Sequence, residues 1–378
     1  MGKGRSVKQI RTVSLIAALA MVFSSVSVLF GCSRDGEQGL IYLGSFLSSD
    51  VYICIYDDAS SSTEFIAACK KTVDEYEKTL SVKESGDVAA FNDLRFGEKV
   101  KVSSLTAELI EYAKTLNEET GGAIDPTVYM LVDLWGFSYR FDEFYMPEKP
   151  FDRARIGDAL PLPEEKYVSA FLSITDIKAV GVKRDQDGIY LFKNCPSVAV
   201  DGTEYEQKID LSSIAKGALS DALKDIAASY GVKNYYLSLG MSSLYLGEKD
   251  GGAWETLLVD PKDDSRAEIG SVLLKNKSIS TSGVYEKNYR LEDVTVHHII
   301  DPSTGRCAET DLLSAAVIGE NGVLADALST ALIVMGSERA KEFIKNYPEL
   351  DFVLVKDGEI LSTIDMSFVK EGYSLTRL

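Results

Sequence analysis

The chain carries two histidines in 378 residues, and they are neighbours: His297 and His298, inside Val296-His-His-Ile-Ile-Asp-Pro-Ser-Thr-Gly305. Histidine gains or loses a proton near neutral pH, and both copies stand beside Asp301 and a Pro-x-x-Gly turn. Successive side chains of a strand point to opposite faces. At most one of the pair therefore faces a given pocket, and the other is structural. A second segment, Ile209-Asp-Leu-Ser-Ser-Ile-Ala-Lys-Gly217, reads as a strand end over 208–211 running into a helix start. Ser212 and Ser213 are good N-cap types, and the free N–H groups of a helix start bind anions. Lys216 lies in the first turn, where a cation opposes the helix dipole unless an anion offsets it. A plain capped helix is the alternative, and the pattern is not a Walker A loop.

A third segment, Ala325-Asp-Ala-Leu-Ser-Thr-Ala331, sets Asp326 and Thr330 four residues apart on one face of an apolar helix. One carboxylate and one hydroxyl suit Mg²⁺, which takes hard oxygen ligands and keeps several from water and phosphate. The plainer reading is an Asp complementing the dipole and a Thr bonded back to its own helix. In Gly121-Gly-Ala-Ile-Asp-Pro-Thr127, two glycines permit close approach of backbone to ligand, and Asp125 is held extended before Pro126. A helix C-cap followed by a turn is the competing account. Taken together, an anion-binding helix start, a candidate Mg²⁺ pair and a His/Asp strand point to a phosphate or pyrophosphate ligand.

These groups need elements to position them. Strand-like runs fall at 51–56, 233–239, 254–260, 269–274, 278–281, 294–300 and 313–318. Amphipathic or capped helices fall at 64–80, 105–119 after Ser103 and Ser104, 214–230 before Gly231, and 323–335 before Gly336. Ser337 is a candidate cap for one more helix, ending at Asn346. Lys356-Asp-Gly358 between apolar runs predicts a closing hairpin. Strands in succession with helices grouped indicate α+β: mixed sheets with flanking helices, one large unit with two subdomains. Residues 140–165 hold four of the nine prolines and read as an insertion.

Composition excludes some functions. The net charge is -18, and such an acidic body repels nucleic-acid phosphate. Residues 1–31 carry Lys3, Arg5, Lys8 and Arg11, then an apolar run, then Gly31-Cys32. That pattern predicts an export signal, with Leu29-Phe30-Gly31-Cys32 like a bacterial lipobox whose Cys32 receives lipid. An uncleaved membrane anchor is the alternative. Either way the body is expected outside the cytoplasmic membrane and tethered to it through 32–40. Removing the four N-terminal positive charges takes the mature charge from -18 to -22. Cys54, Cys69, Cys195 and Cys307 form no C-x-x-C pair, and the first two look like core fillers.

The order of segments resembles that of the ApbE-like FAD:protein FMN transferases. It runs Leu43-Gly44-Ser45, Ala90-Phe91-Asn92, Thr120 to Thr127, Leu134-Trp-Gly-Phe137, Ile209 to Gly217, Ser280-Thr-Ser-Gly283, His298 to Gly305 and Asp326 to Ala331. The likeness spans about 40–365 and implies one ApbE-like domain over 41–372. It implies that Leu43, Ala123, Ile124, Asp125, Asp210, Lys216 and Ile299 contact FAD, and that Ser213, Asp326 and Thr330 hold Mg²⁺. His298 and Asp301 would lie beside the reacting phosphate, either one serving as base. The implied reaction moves the FMN part of FAD onto a Ser/Thr hydroxyl of an exported redox flavoprotein with a short Asp-Gly-containing motif, releasing AMP. A flavin-binding lipoprotein without transfer and a Mg²⁺-dependent FAD pyrophosphatase are the alternatives. Two departures stand out: Ser212-Ser213 where the family often has Gly-Gly, and Ser238-Leu-Gly-Met-Ser-Ser243 where it favours Asn-Leu-Gly-Gly-Asn. The second removes a glycine and an amide from the expected flavin pocket.

Overall fold

A computed structural model describes residues 40–57, 63–83, 85–138, 162–240, 242–263, 265–291 and 294–378. The signal-like stretch 1–31, Cys32 with the tether up to residue 39, and residues 140–161 of the Pro-rich segment lie outside the described residues. Among the described residues the largest sheet has nine strands. They are β1 (Ile41–Phe46), β2 (Ser49–Ile55), β3 (Tyr235–Leu239), β4 (Ser243–Leu246), β5 (Lys277–Gly283), β6 (Ser314–Gly319), β7 (Asp351–Lys356), β8 (Glu359–Ser362) and β9 (Ser374–Arg377). Their order across the sheet is their order in the chain, antiparallel throughout except for the parallel pair β8–β9. Helices α1 (Thr63–Leu80), α2 (Ser104–Glu119) and α3 (Ser212–Ser229) occupy the long excursion between β2 and β3, and α4 (Gly322–Phe343) joins β6 to β7. The fold is α+β.

Layering follows from side-chain alternation. On β6, Ala315 and Val317 join the core built with Leu328 and Leu332 of α4. Ala316 and Ile318 point the other way, into a core with Ile269, Val272 and Trp254 of a three-stranded sheet. Both faces of β6 are covered, so all six of its residues are buried and its sequence shows no polar alternation. A separate core holds Leu43, Val51, Ile53, Leu237 and Leu239 against α1, α2 and α3. A satellite core gathers Leu131, Trp135, Phe137, Tyr289, Val296 and Ile300.

Helices α3 and α4 touch almost backbone to backbone. A Cβ on Gly217 would lie 2.2 Å from the carbonyl oxygen of Gly322. Asp221 of α3 accepts from the N–H groups of Gly322 and Val323, at 2.8 and 3.2 Å, and so caps α4. This contact places the two chemistry-bearing segments side by side.

Several local expectations are corrected. Ser212 and Ser213 are the first helical residues of α3 rather than its cap. The capping position is Leu211, and the Asp210 carboxylate accepts from the Ser212 N–H at 2.8 Å. Residues 208–211 form no strand; the Asn92 amide clamps them, pairing with both the N–H and the carbonyl of Ile209. At Gly336 the backbone leaves helical geometry with φ +70°, as its glycine allows. Ser337 then restarts the helix, but Asp311 does the capping: its oxygens accept from the Ser337 N–H and Oγ at 2.8 and 2.6 Å. Against burial, which would raise it, those bonds and Lys356 hold the Asp311 carboxyl at about 2. Cys54 and Cys69 are buried in the core as expected.

Candidate active site

Six segments far apart in sequence meet at one cleft of about 340 Å³. Its walls include the first turn of α3, α4 at Asp326 and Thr330, the end of β5, the 123–126 loop, the 286–300 hairpin and the β1–β2 turn. Each arrives there for a local reason. Asn117 donates to the Ile124 carbonyl at 2.8 Å and fixes the loop after α2. The Asp210 N–H donates to the Pro126 carbonyl at 3.0 Å, joining that loop to the start of α3. Trp135 Nε1 donates to the Gly305 carbonyl at 2.8 Å, and the Phe137 ring meets the His298 ring edge-on at 6.3 Å. Two motifs distant in the chain thus brace one another.

Asp326 is the electrostatic centre. It is 4 % exposed. Its Oδ2 accepts from the Gly217 N–H at 3.0 Å. Its Oδ1 accepts from Ser280 Oγ at 2.8 Å and Ser243 Oγ at 3.3 Å. The Gly217 N–H would ordinarily serve only the Ser213 carbonyl one turn back, so Asp326 competes for that donor. Burial pushes the Asp326 carboxyl up, against the opposing pull of Lys216 and these hydrogen bonds. Burial also raises Asp210, and it raises Glu286 despite Lys216, Lys287 and Arg266. Several buried carboxylates lining one cleft call for a positive partner.

The donor set defines what partner fits. Thr330 Oγ1 and Ser282 Oγ lie 2.9 Å apart, and Ser282 Oγ lies 2.8 Å from Ser329 Oγ. Ser213, Ser282, Asp326 and Thr330 all line the cleft. Among the described residues no group of three or more His, Cys, Asp and Glu is placed to hold a metal. One carboxylate among hydroxyls fits a hard divalent cation that draws its remaining ligands from water and phosphate. Lys216 and Lys287 line the same cavity, and Lys216 Nζ is held by Ser242 Oγ at 2.7 Å.

The histidines separate because the strand ends at His297 and His298 falls in the bend that follows, so the expected strand over 294–300 is interrupted there. His298 lines the cleft. His297 is 6 % exposed and sets Nε2 at 3.2 Å from the Ala308 carbonyl. Burial, with Lys287, His297 and Lys216 adding to it, drives His298 down to about 3. It is therefore a neutral imidazole at physiological pH. Its Nδ1 is buried and has no hydrogen-bond partner among the described residues.

Of the other residues singled out from sequence, Ala123, Ile124, Asp125, Asp210, Lys216 and Ile299 line the cleft. Asp125 spends its carboxylate on structure: Oδ1 accepts from the Thr127 N–H and Oγ1, and Oδ2 from the Ile177 N–H. Two others lie off the cleft lining. Leu43 is 3 % exposed in the core beneath β1 and does not line the cleft; a register shift between Tyr42 and Gly44 accompanies this placement. Its place is taken by Leu47, Ser48 and Ser49 of the turn. Asp301 closes its own turn, accepting from the Ser303 N–H and Oγ at 2.8 and 2.7 Å, and is not among the cleft-lining residues. Ser242 and Ser282 fall inside quoted segments but were given no role, and sequence reasoning missed Glu286 and Lys287, which carry no spacing signal of their own.

The chain matches the ApbE family over residues 44–354, and it belongs to that family. It is 30 % identical over 348 residues to the FAD:protein FMN transferase of Vibrio cholerae, covering 89 % of this chain and 94 % of that one. It is 29 % identical over 308 residues to the FAD:protein FMN transferase of Escherichia coli strain K12, covering 81 % of each. Among solved structures it is similar to flavin transferase ApbE from Vibrio cholerae, with a TM-score of 0.66 and 27 % identity over 84 % of this chain and 94 % of the other. The ApbE protein of Thermotoga maritima gives a TM-score of 0.68 and 28 % identity over 87 % and 96 %.

Proposed function

We propose that this chain transfers the FMN part of FAD to a Ser or Thr hydroxyl of an acceptor protein, releasing AMP, with Mg²⁺ required. The observation that carries the reading is the meeting of Asp326, Lys216 and a neutral His298 at one cleft, in a chain of this family. Lys216 and Lys287 bind and orient the FAD pyrophosphate. Ser213, Asp326 and Thr330 would hold Mg²⁺, which when bound supplies charge neutralisation at the phosphates. His298, which lines the cleft, takes the proton of the acceptor hydroxyl as its oxygen attacks the FMN-side phosphorus. A new P–O ester bond forms there, the pyrophosphate P–O bond breaks, and AMP departs with the bridging oxygen. Burial, with Lys287, His297 and Lys216, keeps the imidazole uncharged.

The test mixes the purified protein with FAD and Mg²⁺, with and without an acceptor domain, reading acceptor mass and following FMN and AMP by chromatography. An acceptor that gains the mass of FMN, with AMP released only when Mg²⁺ is present, supports transfer. Free FMN plus AMP with an unmodified acceptor replaces it by hydrolysis, and unchanged FAD by storage. We further propose that lipid on Cys32 holds the domain at the outer face of the membrane. Among the described residues no helix is long and apolar enough to cross one. A mature N-terminus carrying no lipid would overturn the anchoring.

A further inference from the structure

We propose that Ser242 and Ser243 are a pair of positioning residues: Ser242 aims the Lys216 cation at the anion, and Ser243, with Ser280, aims the Asp326 carboxylate at the metal. The inference deepens the function proposed above and rests on that reading. The geometry is specific. Ser242 Oγ lies 2.7 Å from Lys216 Nζ. Ser243 Oγ lies 3.3 Å from Asp326 Oδ1 and 3.1 Å from Ser280 Oγ, which itself donates to the same carboxylate oxygen at 2.8 Å. The backbone fixes the pair in turn: the Ser242 carbonyl accepts from the Thr281 N–H at 2.7 Å. Ser242 lies in the turn and Ser243 opens β4, so one short segment reaches the cation with one hydroxyl and the carboxylate with the next.

Physical chemistry explains why such tethers matter. A lysine stem has four rotatable bonds, and an untethered ammonium spends most of its time away from a given phosphate. A carboxylate rotates freely about its last bond, so donors on Oδ1 and on Oδ2, here Ser280 and Gly217, lock the lone pairs left for a metal.

The two arms predict different losses in binding, measured on the full chain without turnover. Calorimetry with Mn²⁺ alone reads the carboxylate arm, and flavin fluorescence with FAD in EDTA reads the lysine arm. Ser242→Ala is expected to weaken FAD at least fivefold and leave Mn²⁺ within twofold. Ser243→Ala is expected to weaken Mn²⁺ at least fivefold and leave FAD within twofold, and Ser280→Ala repeats that pattern if Ser243→Ala fails to fold. Ser242→Ala added to Lys216→Met should cost nothing more than Lys216→Met alone, because the serine acts through the lysine. Equal losses on both ligands, no loss on either, or additive losses at Ser242 and Lys216 would overturn the proposal. Because no arm needs FMN transfer, failure of the transferase reading leaves this test standing.

Discussion

Gly217→Ala sets two ordinary effects against each other, and the structure says which wins. In an isolated helix the change is favourable by about 1 kcal/mol, because alanine is the better helix former. Here the added Cβ would stand 2.2 Å from the Gly322 oxygen, 2.5 Å from its carbonyl carbon and 2.7 Å from the Val323 Cα. All three are backbone atoms, so no rotamer change relieves the contact, and α3 must move off α4. Overpacking of this kind costs about 1–3 kcal/mol, and a backbone clash belongs near the top of that range. Net destabilisation of roughly 2 kcal/mol is expected once the propensity gain of about 1 is subtracted. The same shift stretches the 3.0 Å bond from the Gly217 N–H to Asp326. A hydrogen bond to a charged group is worth about 1.5–3 kcal/mol, so Mn²⁺ affinity should fall about tenfold or more. Urea denaturation and Mn²⁺ calorimetry measure the two effects. A variant at least as stable as the parent, with unchanged Mn²⁺ affinity, would refute the close helix contact and its role in the site.

Asp326→Asn should abolish Mg²⁺-dependent turnover while raising the melting temperature of the metal-free protein at pH 7. A carboxyl whose folded pKa is raised destabilises the fold once pH passes its ordinary value, so the gain should shrink toward pH 4. A lower melting temperature in EDTA at pH 7 would sink this account. His298→Ala should reduce turnover far more than His297→Ala, since only His298 lines the cleft; equal losses would contradict the assignment. With His298 at about 3, kcat/KM should show no histidine step near 6.5, and an inflection there that disappears in His298→Ala would show that the ring is not held neutral. Because the unfolded ring takes up a proton near its ordinary 6.5 and the folded one does not, His298 contributes stability above that pH. This contribution is lost as pH falls from about 6.5 toward 3, and acid melts of His298→Ala should lack it.

Local pattern carried much of this protein. Periodicity and end signals located α1, α2 and α3, because apolar spacing and Gly stops are properties of adjacent residues. The Asp-Gly turn gave the β7–β8 hairpin for the same reason. One histidine of the pair does face away, but because the strand stops at His297 and His298 sits in the following bend, which strand alternation did not foresee. Asp326 and Thr330 shared a face because helical spacing demands it. β6 could be read as a strand, but not what covers its two faces.

What the tertiary structure alone decided was where side chains spend their hydrogen bonds. Asp125, Asp301 and Leu43 looked equivalent to Asp326 and His298 as motif members. Only packing revealed that the first two close turns and the third lies in the core, whereas His298 keeps a nitrogen free. Ser242, Ser282, Glu286 and Lys287 reach the cleft through antiparallel pairing across the sheet and its loops. No sequence spacing encodes those distances. Residue types and periods fix which groups exist and which face they occupy. Burial, close helix contact and strand pairing fix which of them meet, and so which carboxylate and which imidazole are left to bind and react.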